Sequence, residues 1–274
     1  MDPHGNVFLA DATNAVIREL TPFPFSIGGV ANAAALQAFA PPITGSGDAA
    51  VPVAPGEIVV LFGTGLGPAN LAVASPANGF FAKQLAGTTV TFNGEAAPLL
   101  YSSSTVVAAI VPYSVNGASS AQVVVSYQGN QTSAPALPVG ATAPGIFTAN
   151  ASGSGQALAL NEDGTVNSPS NPAPVGSIIT FYETGEGQTT PNGVDGELAN
   201  NVNSLPQPIQ SVIVLVNDVP AVVEYAGAAP TQVAGVMQCN AQIPTGVPPS
   251  GAVPLQIEIG GVFSPIVTIA VSAQ

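Results

Sequence analysis

Apolar residues in this chain recur mostly at every second position, in short runs closed by Gly, Pro or Asn. "EIVVLF", "TTVTFNG", "APLLY", "TVVAAIVP" and "AQVVVSYQGN" fill the first half. "QALALN", "GSIITFYE", "SVIVLVND", "PAVVEYAG", "VAGVMQCNAQIP", "VPLQIEIGG" and "SPIVTIAV" fill the second. Residues two apart along a strand share a face, so this alternation predicts half-buried strands. It places Val59, Leu61, Val90, Phe92, Val123 and Val125 in one core. Ile179, Phe181, Val214, Val216, Ile257 and Ile259 fall in a second. Asn93-Gly94 and Gly260-Gly261 read as tight hairpin turns, which need residues tolerant of positive φ. Only "GVANAAALQAFA", Gly29–Ala40, suggests a short helix, from its alanine content.

The two halves repeat each other. "VAPGEIVVLFGTGLG" (Val53–Gly67) aligns with "APVGSIITFYETGEG" (Ala173–Gly187), pairing Gly56 with Gly176, Thr64 with Thr184, Gly65 with Gly185 and Gly67 with Gly187. "VTFNGEAAPLLY" aligns with "VLVNDVPAVVEY", "AIVP" with "AQIP", and "VVVSYQGNQTS" with "LQIEIGGVFS". Matches in the same order mean a duplicated unit of roughly 85–125 residues. Short strands at this spacing point to an all-β fold: two tandem Ig-like β-sandwich domains behind an N-terminal strand segment. The predicted division is 1–21 strand segment, 22–50 linker with the short helix, 51–139 first sandwich and 140–274 second sandwich.

The glycine-rich end of the first motif resembles a dinucleotide loop but lacks its context. Such a loop needs a helix straight after the glycines to face the pyrophosphate. Here Pro68 and further loop residues follow, and the second copy carries Glu183 and Glu186. The run reads as a strand ending in a turn.

Charge narrows the setting. Of 274 residues only 6% are charged, with two Lys or Arg in all (Arg18, Lys83) and a net charge of −13. Phosphate recognition needs a basic patch, so nucleic acid is excluded as a partner. Membrane insertion is not expected, since no apolar run reaches the roughly 18 residues of a spanning helix. The lone Cys239 excludes an internal disulfide. Together these features point to an extracellular or surface location, with any export signal upstream of this chain.

Many of the same strings carry a family resemblance. "APGEIVVLFGTGLGPA", "VTFNGEAAPLLY", "APGIFT", "GQALALNEDGTVNSPSNPAPVGSIITFYETGEG", "AGAAPTQVAGVMQCNAQIP" and "GGVFSPIVTIAV" resemble a C-terminal domain abundant in Solibacter and other acidobacteria. The resemblance spans Val30 to Val271. It implies a module closing long secreted or surface proteins and supplies no catalytic residues. Glu186 departs from its pattern, where Leu is usual, and Cys239 stands where Val is. "DPHGNVFLADATNAVIREL" resembles part of one NHL propeller repeat. A blade needs about four strands, so Asn6, Val7, Phe8, Leu9, Val16 and Ile17 are expected to pair elsewhere. Their partner is either the chain's own sandwiches or a neighbouring copy in a filament, by strand donation.

Candidate chemistry is sparse. The only histidine, His4, reads as a turn residue, and Cys239 as a small buried hydrophobe. Glu183, Glu186, Asp195 and Glu197 cluster in one loop-rich stretch, and their ordinary reading is as solvated turn acids. Asn161, Asp163 and Asn167 in "NEDGTVN" offer oxygens to calcium but lack the full calcium-loop spacing. No other cofactor is expected. The residues therefore predict a non-enzymatic structural or interaction protein that associates with itself, with surface proteins or with glycans. The other reading is a carbohydrate-binding or adhesion module of a larger secreted protein, drawing on Tyr101, Tyr113, Tyr127, Tyr182 and Tyr225.

Overall fold

The computed structural model describes residues 7–11, 16–20, 25–35 and 52–274, the first two stretches as backbone alone. Strands β1 (Val7–Asp11) and β2 (Val16–Leu20) pair antiparallel, with Val7 opposite Leu20 and Asp11 opposite Val16. Asn6 and His4 lie outside the described residues. Among those residues, β1 and β2 join no other sheet.

The first core lies between two sheets. β3 (Ser26–Asn32), β4 (Ile58–Thr64), β5 (Thr88–Phe92), β6 (Glu95–Ala96), β7 (Leu99–Ser102), β8 (Val106–Ile110), β9 (Val123–Tyr127) and β10 (Asn130–Ser133) supply them. One sheet runs β3-β4-β8-β7 with the short strand Ala72–Val73 at its edge, and the other β10-β9-β5-β6. The helix expected within Gly29–Ala40 is not formed where the structure describes it. Residues 26–32 are a strand, Ala33–Ala35 a turn, and 36–40 lie outside the described residues. Pairing with β4 outweighs the modest helix preference of alanine, because it buries Val30 in the first core. A register shift between Ile27 and Gly29 absorbs the double glycine. A strand from the stretch read as linker thus completes the first sheet.

The second core is enclosed by β11 (Ile178–Thr184), β12 (Val212–Val216), β13 (Val219–Ala228), β14 (Met237–Gln242), β15 (Ser250–Ile259), β16 (Val262–Phe263) and β17 (Val267–Ser272). Their ladder runs β11-β14-β13-β12-β15-β17. β13 serves two layers: Ala221 pairs with Val214 of β12, then Val222 onward with β14. In the first half the matching stretch is broken into β6 and β7 around Pro98, which has no N–H for a ladder. A register shift recurs in both halves, between Leu99 and Tyr101 and between Val223 and Tyr225.

The hairpin turns repeat as well. Asn93-Gly94 (φ 51° and 86°) matches Asn217-Asp218 (52° and 60°). Gln128-Gly129 (50° and 81°) matches Gly260-Gly261 (61° and 86°). Two consecutive positive φ angles mark the turn whose twist suits a two-residue hairpin. The fold is all-β and sandwich-like. All the residues assigned to the two cores from alternation are fully buried. Among the described residues no helix is long and apolar enough to cross a membrane.

Truncating Phe92 or Phe181 to Ala is expected to lower the unfolding free energy by about 3–5 kcal/mol, as for other buried Phe residues. Urea denaturation measures this directly.

Candidate functional site

The repeat shows where the second half departs from the first. β4 ends in "FGTGLG", and Leu66 is fully buried in the first core. A Cβ at Gly63 would collide with the Ser26 carbonyl and crowd Leu66. β11 ends in "YETGEG", so the positions of Gly63 and Leu66 are taken by Glu183 and Glu186. These are not solvated turn acids as their loop context suggested: they are 0% and 3% exposed. The alternation of β11 aims Glu183 to the same side as Ile179 and Phe181, and no room for water is left around it.

A third buried acid comes from the first half. Glu57, just ahead of β4, is 0% exposed. Its Oε1 accepts from Asn32 Nδ2 at 2.9 Å and its Oε2 from the Ala54 N–H at 2.7 Å. Asn32 Nδ2 also donates to the Ala143 carbonyl at 3.0 Å, and its Oδ1 accepts from the Ala34 and Ala35 N–H groups. The Ile58 N–H donates to Thr184 Oγ1 at 2.9 Å. The start of β4 is thereby tied to the end of β11, and Glu57, Glu183 and Glu186 face one junction.

Among the described residues, neither oxygen of Glu183 accepts a hydrogen bond, and neither does Glu186 Oε2. Burial disfavours the charged form. It raises Glu57 to about 8, helped by the charge of Glu186 and opposed by the Ala54 and Asn32 hydrogen bonds. It raises Glu186 to about 7, opposed by its own N–H and that of Gly185. Glu183 is pushed well above the carboxylate range by burial and then by Glu186 and Glu57. Burial, then Glu183, also pushes up the Cys239 thiol. A buried, protonated thiol is a poor nucleophile.

Beside Glu186 lies a cavity of about 490 Å³ built from both halves. Glu186 and Tyr113 line it together with Phe80, Asn192, Glu197 and Asn200. Tyr113 sits on a single 3₁₀ turn, Tyr113–Val115. Its N–H donates to Asp195 Oδ1 at 2.9 Å and its carbonyl accepts from Gln188 Nε2 at 2.8 Å. Gly56 and Gly193 lie against its ring, where a Cβ would clash. Backbone bonds Phe81 N–H to Gly196 O and Leu198 N–H to Gly79 O, both 2.8 Å, close the walls. An apolar cluster of Ile58, Ile110 and Val233, with Phe81 and Leu198 against it, seals the junction. Lys83 pairs with Glu95 at 2.9 Å and Asp195 at 3.4 Å.

The acids that the sequence grouped in one stretch separate in space. Glu183 and Glu186 enter the junction, Asp195 holds Tyr113 and Lys83, and Glu197 stays exposed on the cavity wall. Sequence reasoning missed Glu57 and gave Tyr113 no place apart from the other tyrosines. The repeat could have flagged Glu57, since Ser177 holds its place in the second copy.

The calcium candidates have other partners. Asn167 Oδ1 accepts from the Ala270 N–H and Gln156 Nε2, while its Nδ2 donates to the Ala270 carbonyl and to Asn161 Oδ1. Asp163 Oδ1 accepts from the Thr165 N–H and hydroxyl. These bonds staple the 161–171 loop onto β17. Among the described residues no group of three or more His, Cys, Asp or Glu is arranged to hold a metal ion.

No protein-family model matches this chain, and no curated protein matches it in sequence. Among solved structures, 87% of the chain aligns with the full extracellular region of plexin A4, at 9% identity and a TM-score of 0.27. Another 89% alignment is to SGBP-B from a complex xyloglucan utilization locus in Bacteroides uniformis, at 11% identity and a TM-score of 0.25. The chain spans 17% and 48% of those two proteins' lengths. Superposition at this level falls short of a shared topology, so the site is read from its own geometry.

The raised acids make stability depend on pH. Unfolding returns each carboxyl to an ordinary value near 4.5, so the unfolded chain loses these protons first. Stability present below that value is therefore lost as pH rises through the folded values of about 7 and 8. Urea unfolding is expected to show a loss of a few kcal/mol between about pH 5 and 8, since each tenfold difference in a group's proton affinity between folded and unfolded chain is worth roughly 1.4 kcal/mol. Glu186→Gln flattens that slope, and a flat profile in the parent chain would mean the carboxyls are solvated.

Proposed function

We propose that this chain is a non-enzymatic, extracellular interaction module that binds a glycan in the cleft between its two halves. In this reading the halves are tandem Ig-like sandwiches, akin to the acidobacterial C-terminal domains that the sequence resembles. The observation that carries it is the composition of the cavity. Asn78, Asn192, Asn200, Asn201 and Ser204 offer amides and a hydroxyl, and Phe80 stands 43% exposed beside them. Amides and hydroxyls trade hydrogen bonds with sugar hydroxyls, and an aromatic face covers the apolar face of a pyranose ring. A few convergent polar groups in a concave site of this size suit a small ligand or a short oligomer. The near absence of Lys and Arg supports an extracellular setting. Two of the three junction acids, Glu57 and Glu183, do not line the cavity, which weakens an acid–base reading.

A glycan array followed by calorimetry tests this. Phe80→Ala and Asn200→Ala should each weaken the best ligand about tenfold or more, as expected for a stacking or hydrogen-bonding residue in a pocket, with Tm unchanged. No bound glycan on the array, or cleavage of the bound one, would reject the reading.

A second reading rests on β1 and β2. Their two-stranded ladder leaves both outer edges without a partner among the described residues. Free edges are templates for strand addition, and head-to-tail addition between copies gives a filament. Light scattering should then show mass rising with concentration for the full chain and not for a chain lacking residues 1–24. A full-length monomer at every concentration would end it.

A further inference from the structure

We propose that the cleft continues into a second sugar-binding cavity on the outer face of β11, and that its ligand is a neutral oligosaccharide long enough to occupy both. The inference rests on the glycan reading of the cleft and adds the length and charge class of the ligand.

The second cavity, of about 380 Å³, is lined by Phe147, Leu158, Tyr182, Pro230, Gln232 and Val236. Tyr182 follows Phe181, which is fully buried in the second core, so the Tyr182 ring stands on the opposite, outer face of β11. The Phe147 N–H donates to the Tyr182 carbonyl at 2.9 Å, and the Leu158 N–H to the Phe147 carbonyl at 2.7 Å. These bonds lay the three backbones side by side, with Leu158 43% exposed. Among the described residues neither the Tyr182 hydroxyl nor the Gln232 side-chain amide has a hydrogen-bond partner. Two aromatic side chains beside an open hydroxyl and amide repeat the chemistry of the cleft, where Phe80 stands among asparagines. An aromatic body with polar groups at its rim suits a sugar ring, which is apolar on its face and hydroxylated at its edge.

The two cavities share a wall. Ala228, Ala234 and Gly235 line the cleft, while Pro230, Gln232 and Val236 of the same loop line the second cavity. Ala199, also in the cleft lining, donates its N–H to the Gln232 carbonyl at 2.8 Å and accepts from the Thr231 N–H at 3.0 Å. Hydrogen-bonded extended backbones lie about 4.8 Å apart. That spacing is what separates the segment bearing Asn200 and Asn201 from Gln232. The wall is also fixed in place. Ala229 and Val233 are buried, Val233 belongs to the apolar seal of the junction, and a Cβ on Gly235 would strike the Gly56 carbonyl. A ligand leaving the cleft past Ala199 meets a preformed surface, and preorganisation spares part of the cost of binding.

Charge sets the class of sugar. The second cavity is lined by no Asp, Glu, Lys, Arg or His. The cleft lining holds Glu186 and Glu197 and no Lys, Arg or His, with Glu197 exposed. A uronate or sulfate would find no counter-charge along this path and would be repelled by Glu197 and by the net charge of −13. A neutral sugar pays neither penalty.

The test is an array of oligosaccharides two to eight units long, followed by calorimetry. It carries neutral homopolymers of glucose, xylose, mannose and galactose beside oligogalacturonates. The hexasaccharide of the best-binding neutral series should bind about tenfold tighter or more than its disaccharide. Tyr182→Ala and Phe147→Ala should remove that gain and leave the disaccharide unchanged, whereas Phe80→Ala weakens both lengths. Gln232→Ala, at an exposed loop position, should remove part of the same gain and keeps the test decisive if an aromatic variant unfolds. Equal affinity at all lengths, or a gain that survives in Tyr182→Ala and Gln232→Ala, overturns the second cavity and leaves the glycan reading standing. Oligogalacturonates that bind as tightly as neutral oligosaccharides overturn the charge class. Binding of no sugar at any length takes down both readings. Self-association in light scattering that Tyr182→Ala abolishes means that the cavity seats a second copy of the chain, and it overturns the proposal.

Discussion

The Glu57 carboxyl is held between Asn32 and the Ala54 N–H at the point where β4 meets the other half of the chain. Much of the junction depends on that contact. Asn32 reaches on to the Ala143 carbonyl, so one amide links β3, the acid and the segment entering the second half. The Ile58 N–H, next along the chain, is satisfied by Thr184 rather than by a strand partner. A buried N–H left open would be costly. The junction is thus a polar network inside an apolar seal, and such a network fixes geometry only when its members are answered. Asn32 is answered throughout. Glu183 and one oxygen of Glu186 are not, among the described residues.

That asymmetry is clearest when the two similar turns are compared. In the first half, the turn after β4 closes on its own core through Leu66, with Gly63 forced by the nearby Ser26 carbonyl. In the second half the same turn keeps its glycines, and Gly65 and Gly185 both hold a positive φ. The two turns differ after that point, since Gly187 also takes a positive φ and Gly67 does not, and an acid stands in the second where the first has a hydrophobe. Beside Glu186, Gly56 and Gly193 leave the Tyr113 ring the space that a Cβ at either position would take.

Strand positions were legible from alternation because a strand's two faces are set by local geometry. Phe92 and Val90, or Phe181 and Ile179, share a face whatever the rest of the chain does. The exception at Ser26–Asn32 is instructive. Gly28, Gly29 and the alanines carry no strong local preference, and their strand state comes from the unpaired edge of β4, which is remote in sequence. The fate of Glu183 and Glu186 was illegible for a related reason. A Gly-rich loop with two acids reads as exposed unless something distant covers it, and what covers it here comes from Asn32, Glu57 and Tyr113.

By itself the sequence determined the all-β class, the core residues, the hairpin turns and the near absence of basic charge, because each is a property of short windows or of composition. Tertiary structure alone decided which acids are buried, that Asp195 serves Lys83 and Tyr113 rather than Glu186, and that a cavity opens between the halves. Burial and proton affinity depend on groups 25 to more than 100 residues away, such as Asn32 on Glu57 and Thr184 on Ile58. No local pattern records a neighbour that only folding supplies.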